Sequence, residues 1–415
     1  MSSERNMIVG DESSDAPALR RSLTLPLLTL YGLGVTVGAG IYVLIGATVA
    51  QAGPYAWVAF LLAAFVVGFT AFSYAELATR YPVSAGESAY VEAGFGRPRL
   101  ATVVGLLVAI SGMVSASAIA VGASGYLGDL SGLPSPPLIV GIVGAMGLLA
   151  WWGITQSVMA AAIVTVIEIL GLAFVIVWGI ALSEQNGIPV ENLLPPLKGN
   201  HWGGILSASL LAFFAFIGFE DIVNMAEEVD QPNTTLPRSI LVALGVTTVI
   251  YALVAVAAVR SVDTATISVS RSPLVLVWQA GRGGNGDFLS GIAVFAALNG
   301  VLAQIVMASR VLFGLGRHSP SLAVFHRAHP RLGTPVLATC LIGAAVVVIA
   351  VGVQLVTLAG VTSAILLSVF LLVNLALIFQ KRREPKAPFT VPMVVPVLGF
   401  TLSILALIGA VWGAF

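Results

Sequence analysis

Fifty-four consecutive residues, Ser22–Ala75, contain no Asp, Glu, Lys or Arg, and a second such run, Leu332–Gln380, holds 49. A water-facing fold does not leave this much chain uncharged. A helix crosses a bilayer in about 20 residues, so each run has room for two spans. Alternation at period two is absent, which excludes a β-barrel. The rest of the chain agrees: 58% of its 415 residues are apolar and 9% are charged, against roughly 25% charged in a soluble domain. These proportions exclude a soluble globular enzyme. Nineteen basic residues balance nineteen acidic ones, so the basic excess of a nucleic-acid binder is missing. Cys340 is the single cysteine, and three of the four histidines fall within His318–His329; neither a disulfide framework nor a metal site is implied. No GxxxxGK[ST] loop exists for ATP, and no cofactor is implied. The sequence reads as a polytopic all-α membrane protein whose first partner is the lipid bilayer.

Eleven spans are predicted: Thr24–Ala50, Tyr55–Thr79, Leu100–Tyr126, Leu138–Trp152, Val158–Leu182, Gly204–Glu228, Ser239–Arg260, Phe288–Gly316, Pro335–Val351, Leu355–Phe379 and Val394–Trp412. The first is too long for a cleaved signal peptide. Fifteen Lys and Arg then fall on the side of the N-terminus, and four (Lys198, Arg260, Arg271 and Arg282) fall on the other. By the positive-inside rule the N-terminus is cytoplasmic and the C-terminus lies outside. Residues 1–22 form a polar cytoplasmic tail, 381–393 a cytoplasmic loop and 394–415 an extra C-terminal helix. Ser84–Gly96 reads as an interfacial or re-entrant piece, Ser272–Ala280 as a lid-like surface helix, and Leu182–Trp202 and Ser319–Gly333 as loops. Most tryptophans fall near span ends, where they anchor the interface; Trp278 is a candidate cover for the outer vestibule.

Two spans carry signs of interruption. The first reads GLGVTVGAGIYVLIG, with Gly38-Ala39-Gly40 near its middle. Small residues there serve either close helix packing or an unwound stretch, and the lack of side-chain bulk at mid-span favours the second. The sixth reads LLAFFAFIGFEDIVNMAEEV, where Gly218 precedes Glu220 and Asp221. Acids in hydrocarbon are costly and face a cavity or a partner. Glu227 and Glu228, near the span end, are interfacial. Breaks five spans apart match a 5+5 inverted repeat, about 23–183 and 204–380, within a transporter core of 23–380. Half-helix N-termini offer N–H groups to a carboxylate, and free carbonyls can hold an ammonium. A zwitterion suits such a pair of breaks.

Glu168 is the most isolated charge, with 38 uncharged residues before it and 15 after it. Burial disfavours the carboxylate form, so the group suits a proton-coupling site; the structural alternative is a neutral acid bonded to a neighbouring helix. Asn299 in span eight is its candidate partner. Glu220 is a candidate substrate contact or gate. Glu76, at the end of span two, is expected to pair with a basic group or cap a loop, and Arg310 to be an anchor or loop partner. His318, His326 and His329 share one loop and read as solvated.

Together these stretches resemble the amino acid–polyamine–organocation (APC) superfamily, and within it the bacterial permeases similar to cationic amino acid transporters. The resemblance rests on Gly38-Ala39-Gly40-Ile41-Tyr42, Tyr74-Ala75-Glu76-Leu77 with Tyr81-Pro82, Gly86-Glu87-Ser88-Ala89-Tyr90 through Phe95-Gly96, Phe213 through Glu220 with Glu227-Glu228, Ser309-Arg310 with Gly314, and His329-Pro330 through Thr334-Pro335. It spans roughly Leu23 to Pro396 and implies the LeuT-like fold with discontinuous spans one and six. It implies that Val37, Gly38, Ala39, Gly40 and Ile41 bind the substrate carboxylate through N–H groups. It also implies that Phe214, Ala215, Phe216 and Ile217, next to Gly218, bind the amine through carbonyls. The sequence departs from the family in three places. Ala39 stands where relatives often carry a hydroxyl, Glu168 stands where cationic-transporter relatives often carry a Lys in place of sodium, and the span count is one short of the common number. The expected function is secondary import of amino acids across the cell inner membrane by proton symport, sodium being less favoured. Exchange or amine transport are the alternatives within the class, and a nutrient receptor or channel outside it. The amino acid itself and the oligomeric state are not legible.

Overall fold

The structure is a computed structural model that describes residues 23–83, 86–152, 158–181, 188–197, 199, 201–282, 284–318, 320–327, 329 and 334–413. The tail 1–22, the side chains of Ala39, Arg317, His318 and Trp412, and parts of the loops after α7 and α12 below lie outside the described residues. The first span is two helices, α1 (Leu25–Val37) and α2 (Ala39–Ala52), and α3 (Ala56–Arg80) follows. Next come α4 (Gly86–Phe95), α5 (Pro98–Ser131), α6 (Ser135–Trp152) and α7 (Val158–Ala181). The sixth span is α8 (His201–Ala215), a turn, and a 3-10 helix over Glu220–Glu228. Then come α9 (Pro232–Ser261), α10 (Thr264–Val269), α11 (Pro273–Arg282), α12 (Asp287–His318), α13 (Val336–Gly352), α14 (Leu355–Arg383) and α15 (Val394–Gly413). Among the described residues, eight helical runs are long and apolar enough to cross a membrane, and Leu25–Val37, Val336–Gly352 and Val394–Ala410 are shorter apolar helices. The chain is a multi-pass membrane protein.

Several helices outrun the predicted spans because capping chemistry, not hydropathy, sets their ends. Helix α5 runs to Ser131 and stops at Gly132, whose φ of 72° takes the left-handed conformation that a glycine C-cap supplies. Helix α9 starts at Pro232 in its first turn, a position that needs no N–H partner. Within the predicted Ser84–Gly96 piece lies the helix α4. It presses on α14 so closely that a Cβ on Gly94 would lie 2.6 Å from the Ala376 backbone.

The core is aromatic where the interrupted spans meet α3 and α14. Tyr74 is fully buried, and the rings of Tyr90, Phe219 and Phe370 pack edge-on to it at centroid distances of 5.6–6.0 Å, the favoured geometry for aromatic pairs. Small residues let α5 approach its neighbours: Gly112 faces Met307 and Ala308 of α12, and Gly122 faces Val43 of α2. The predicted lid, Ser272–Ala280, is formed by α11, with the short α10 before it. Trp278 on α11 stacks on Trp178 of α7 with centroids 6.1 Å apart, so it packs against the α7 side. One non-helical pairing closes the bundle at one end among the described residues, a parallel bridge between Leu23 and Val229. There Leu23 N–H donates to Glu228 O and Asp230 N–H to Leu23 O, each at 3.0 Å. The start of the first span is thereby tied to the end of the sixth.

Candidate functional site

Both interruptions are present. In the first span the break is narrower than Gly38–Gly40. Gly38 alone leaves helical geometry, with φ −39° and ψ −137°, and Ala39 and Gly40 already belong to the first turn of α2. No side chain caps that turn. Gly40 is glycine for another reason: a Cβ there would lie 2.8 Å from Cα of Ala215. In the sixth span α8 ends at Ala215, residues 216–218 form a turn, and Gly218 takes φ +123°. A Cβ on Gly218 would also lie 2.9 Å from the Val35 carbonyl carbon and 3.0 Å from the Thr36 nitrogen. The two breaks therefore cross in reciprocal contact, the second half of span one against the first half of span six, and the reverse.

One side chain joins them. Tyr251 of α9 is fully buried, and its hydroxyl lies 2.6 Å from the Thr36 carbonyl and 2.9 Å from the Ala215 carbonyl. Its single proton serves two acceptors, one at the end of each broken helix. Phe60 and Phe216 hold the ring edge-on at 5.6 and 5.1 Å. Nearby carbonyls are engaged as well: Phe213 O accepts from Phe216 N–H at 3.0 Å, and Phe214 O from Ile217 N–H at 3.2 Å. Within the segment expected to hold an amine, only the carbonyls of Phe216 and Ile217 carry no partner among the described residues. Val37, Ile41, Phe214, Ala215 and Phe216 are buried around the crossing, and Ile217 is half-buried.

Beyond Ile217 a small cavity opens among the third, sixth, eighth and tenth spans, with a free volume of about 10 Å³. Three carboxyls line it: Glu220 and Asp221 after the break, and Glu87 at the start of α4. Glu220 Oε2 accepts from Gly218 N–H at 2.9 Å, so the acid braces the break that precedes it. Glu87 Oε1 accepts from the Tyr74 hydroxyl at 3.2 Å, and Asp221 Oδ1 has Asn224 Nδ2 at 3.5 Å. Among the described residues no three His, Cys, Asp or Glu are arranged to hold a metal ion.

Glu168 lies elsewhere, at the level of the first break. It is 1% exposed, and neither carboxyl oxygen has a hydrogen-bond partner among the described residues. Its backbone carbonyl accepts from the Tyr42 hydroxyl at 3.2 Å, and the Tyr42 carbonyl accepts from Tyr126 at 2.7 Å, which fixes α7 against α2 and α5. One turn earlier, Thr165 packs onto Gly34, where a Cβ would be 2.1 Å from the Thr165 hydroxyl oxygen. Asn299 Oδ1 is also buried without a partner. The expected Glu168–Asn299 pair is therefore not hydrogen-bonded in this structure.

Glu76 does pair. Arg80 Nη2 lies 2.7 Å from Oε1, Lys381 Nζ lies 2.7 Å from Oε2, and Val391 N–H donates to Oε2 at 2.8 Å. Arg310 is exposed. The roles of Tyr251, Gln304 and Glu87 are not legible in the sequence. Glu87 falls in the stretch read there as an interfacial or re-entrant piece, and only the fold carries it to Glu220.

The sequence profile of the family described as Amino acid permease matches residues 24–415. The branched-chain amino acid permease BcaP of Bacillus subtilis (strain 168) is 30% identical, over 91% of this chain and 84% of that protein. The methylthioribose transporter of the same organism is 28% identical, over 97% and 92%. The vacuolar cationic amino acid transporter 2 of Arabidopsis thaliana is 30% identical, over 88% and 61%. Among solved structures, the Eremococcus coleocola manganese transporter, in complex with an aromatic bis-isothiourea substituted compound, superposes with a TM-score of 0.67 at 17% identity. The match covers 96% of this chain and 90% of that one, and shows the LeuT-like fold. With two broken spans crossing at mid-bundle and a family match over nearly its whole length, the chain belongs to the amino acid permease family of the APC superfamily.

Proposed function

We propose that this permease is a secondary active transporter that imports amino acids across the cytoplasmic membrane by proton symport, through alternating access, with its N-terminus in the cytoplasm. The observation that carries the reading is the crossing of the two breaks. The first turn of α2 ends in uncapped N–H groups, at the positive end of a helix dipole that favours an anion. The substrate carboxylate sits there, at Ala39, Gly40 and Ile41. The unpartnered carbonyls of Phe216 and Ile217 take the α-amine. The site reads the zwitterion with backbone groups and leaves the side chain to the third, sixth, eighth and tenth spans. Spans one to five and six to ten act as the two inverted halves. The named relatives are described by branched-chain amino acids, methylthioribose and cationic amino acids, so family membership does not select the substrate.

Proton coupling is assigned to Glu168. A carboxyl whose two oxygens lack partners is strongly disfavoured as an anion unless water or a cation reaches it, so its protonation follows which side of the membrane the cavity opens to. Thermal-shift screening against the twenty amino acids and several amines identifies the ligand; tracer uptake of that ligand into proteoliposomes then tests the reading. Accumulation against a gradient supports a transporter, whereas binding without accumulation supports a receptor, and equilibration without concentration a channel. Methyl esters and decarboxylated amines are expected to compete poorly. Full competition by an amine alone would replace the amino acid reading with an amine transporter.

A further inference from the structure

We propose that Glu87, Glu220 and Asp221 bind a proton in common, making their cavity a second proton site separate from Glu168. Among the described residues, three carboxyls border one small cavity, and no Lys, Arg or His lines it. Asp221 has Asn224 alone, and Glu87 and Glu220 each add only their own backbone N–H to the bonds from Tyr74 and Gly218, where an ionised carboxylate offers about four acceptor positions. Three anions so placed repel one another at low dielectric, so a positive charge must reside among them. The space, of about 10 Å³, suits one water-sized occupant. It is too small for a side chain, and the acids do not converge as metal ligands. A proton is what remains.

Two further side chains are oriented for it. Gln304 of α12 is 5% exposed and Ser115 of α5 is 2% exposed; both line the cavity, and neither side chain makes a hydrogen bond among the described residues. Buried polar groups without partners are costly, and these two complete a shell in which a carboxylic O–H, or a water relaying its proton, finds acceptors. The surrounding titratable groups are few. Tyr74 of α3 donates to Glu87, and Tyr90 of α4 lies in its field with an unbonded hydroxyl. Tyr31 of α1 feels Asp221, Glu228 and Arg310.

The placement gives the proton a mechanical role. While Glu220 is ionised it holds the Gly218 N–H in a charge-assisted bond, which is roughly twice as strong as a neutral one. When the shared proton moves from a neighbouring carboxylic acid onto Glu220, that neighbour becomes the anion and the brace on Gly218 weakens. Gly218 abuts Val35 and Thr36 of α1, so the break in span six and the end of α1 both register the transfer. This role in transport rests on the proton-coupled reading above, but the existence of the site does not.

Infrared titration of the purified, detergent-solubilised Glu168→Gln transporter tests the site without requiring transport. Glu76 is ion-paired with Arg80 and Lys381, and the protonated-carboxyl C=O band is assigned by its response to substitution. The band is expected to persist at pH 7 in Glu168→Gln and to lose the larger part of its intensity when Glu87→Gln and Asp221→Asn are added. If that combination does not purify, Glu87→Gln alone must move the titration midpoint. No band at pH 7, or a band that ignores these substitutions, overturns the proposal. A band abolished by saturating lysine but not by leucine also overturns it, in favour of a pocket for a cationic side chain. If the band behaves as expected while uptake ignores a pH gradient, the second site stands and the proton-symport reading falls.

Discussion

Glu76 and Glu168 are both buried carboxyls in membrane spans, and they are built in opposite ways. Glu76 has two cations and a backbone N–H on its oxygens; Glu168 has none. The first fixes α3 to α14 and to the segment before α15, because its oxygens are held by groups from all three. The second has no partner that would hold it in either charge state, so its environment decides. On the proposed reading, full pairing marks an acid that holds the fold, and absent pairing marks an acid free to exchange its proton.

Removing each acid is the strongest way to break the comparison. Glu76→Gln leaves Arg80 and Lys381, whose side chains are 5% and 8% exposed, without their anion. Breaking a buried pair on one side costs about 3–5 kcal/mol. The expected result is a large loss of thermal stability in detergent, read by intrinsic fluorescence, and poor recovery of folded protein. Glu168→Gln removes no hydrogen bond and is expected to melt at or above the wild-type temperature. Equal destabilisation by both would erase the distinction.

Next in size is the crossing of the breaks. Gly40→Val places branched carbon against the Ala215 backbone, and overpacking of this kind costs about 1–3 kcal/mol. The protein should insert while uptake is lost. Gly218→Ala should behave alike, since φ +123° is a conformation an L side chain rarely adopts. Wild-type uptake in either variant would show that the backbones do not need their close approach.

Tyr251→Phe is a subtler test. It keeps the ring against Phe60 and Phe216 and removes the hydroxyl that joins Thr36 O to Ala215 O. One buried carbonyl pair loses its donor, at about 1–3 kcal/mol. The expected outcome is a modest drop in melting temperature with a clear drop in uptake rate, because the two halves of the site lose their common tether.

The smallest effect is expected from Asn299→Leu. Its buried oxygen bonds nothing, and exchange of an unsatisfied polar group for an apolar one of similar size is close to neutral. Thermal stability should change by less than about 1 kcal/mol. A large loss would reveal a partner for Asn299 in another state of the transport cycle.

The sequence shows the spans because charge is scarce enough to map the hydrocarbon directly. It places both breaks because glycine at mid-span has few other uses, yet it cannot size them. Gly40 looks like part of an unwound stretch, but its glycine answers to Ala215, 175 residues away along the chain. Glu76 is expected to pair, while its partner Lys381 lies 305 residues on and becomes visible only in the fold. The Glu87–Glu220–Asp221 cavity is assembled from residues over 130 positions apart. Side-chain contacts across a bundle leave no periodic trace, so local pattern can identify an isolated acid but not its neighbours.

The most direct test of the central claim is uptake driven by an imposed pH gradient in sodium-free proteoliposomes, comparing wild type with Glu168→Gln. Wild type should concentrate the identified amino acid while the gradient lasts. The variant should still bind it and exchange it across the membrane but fail to concentrate it. Accumulation by Glu168→Gln equal to wild type, or wild-type accumulation that needs sodium and ignores pH, would contradict the assignment of the coupled proton to Glu168.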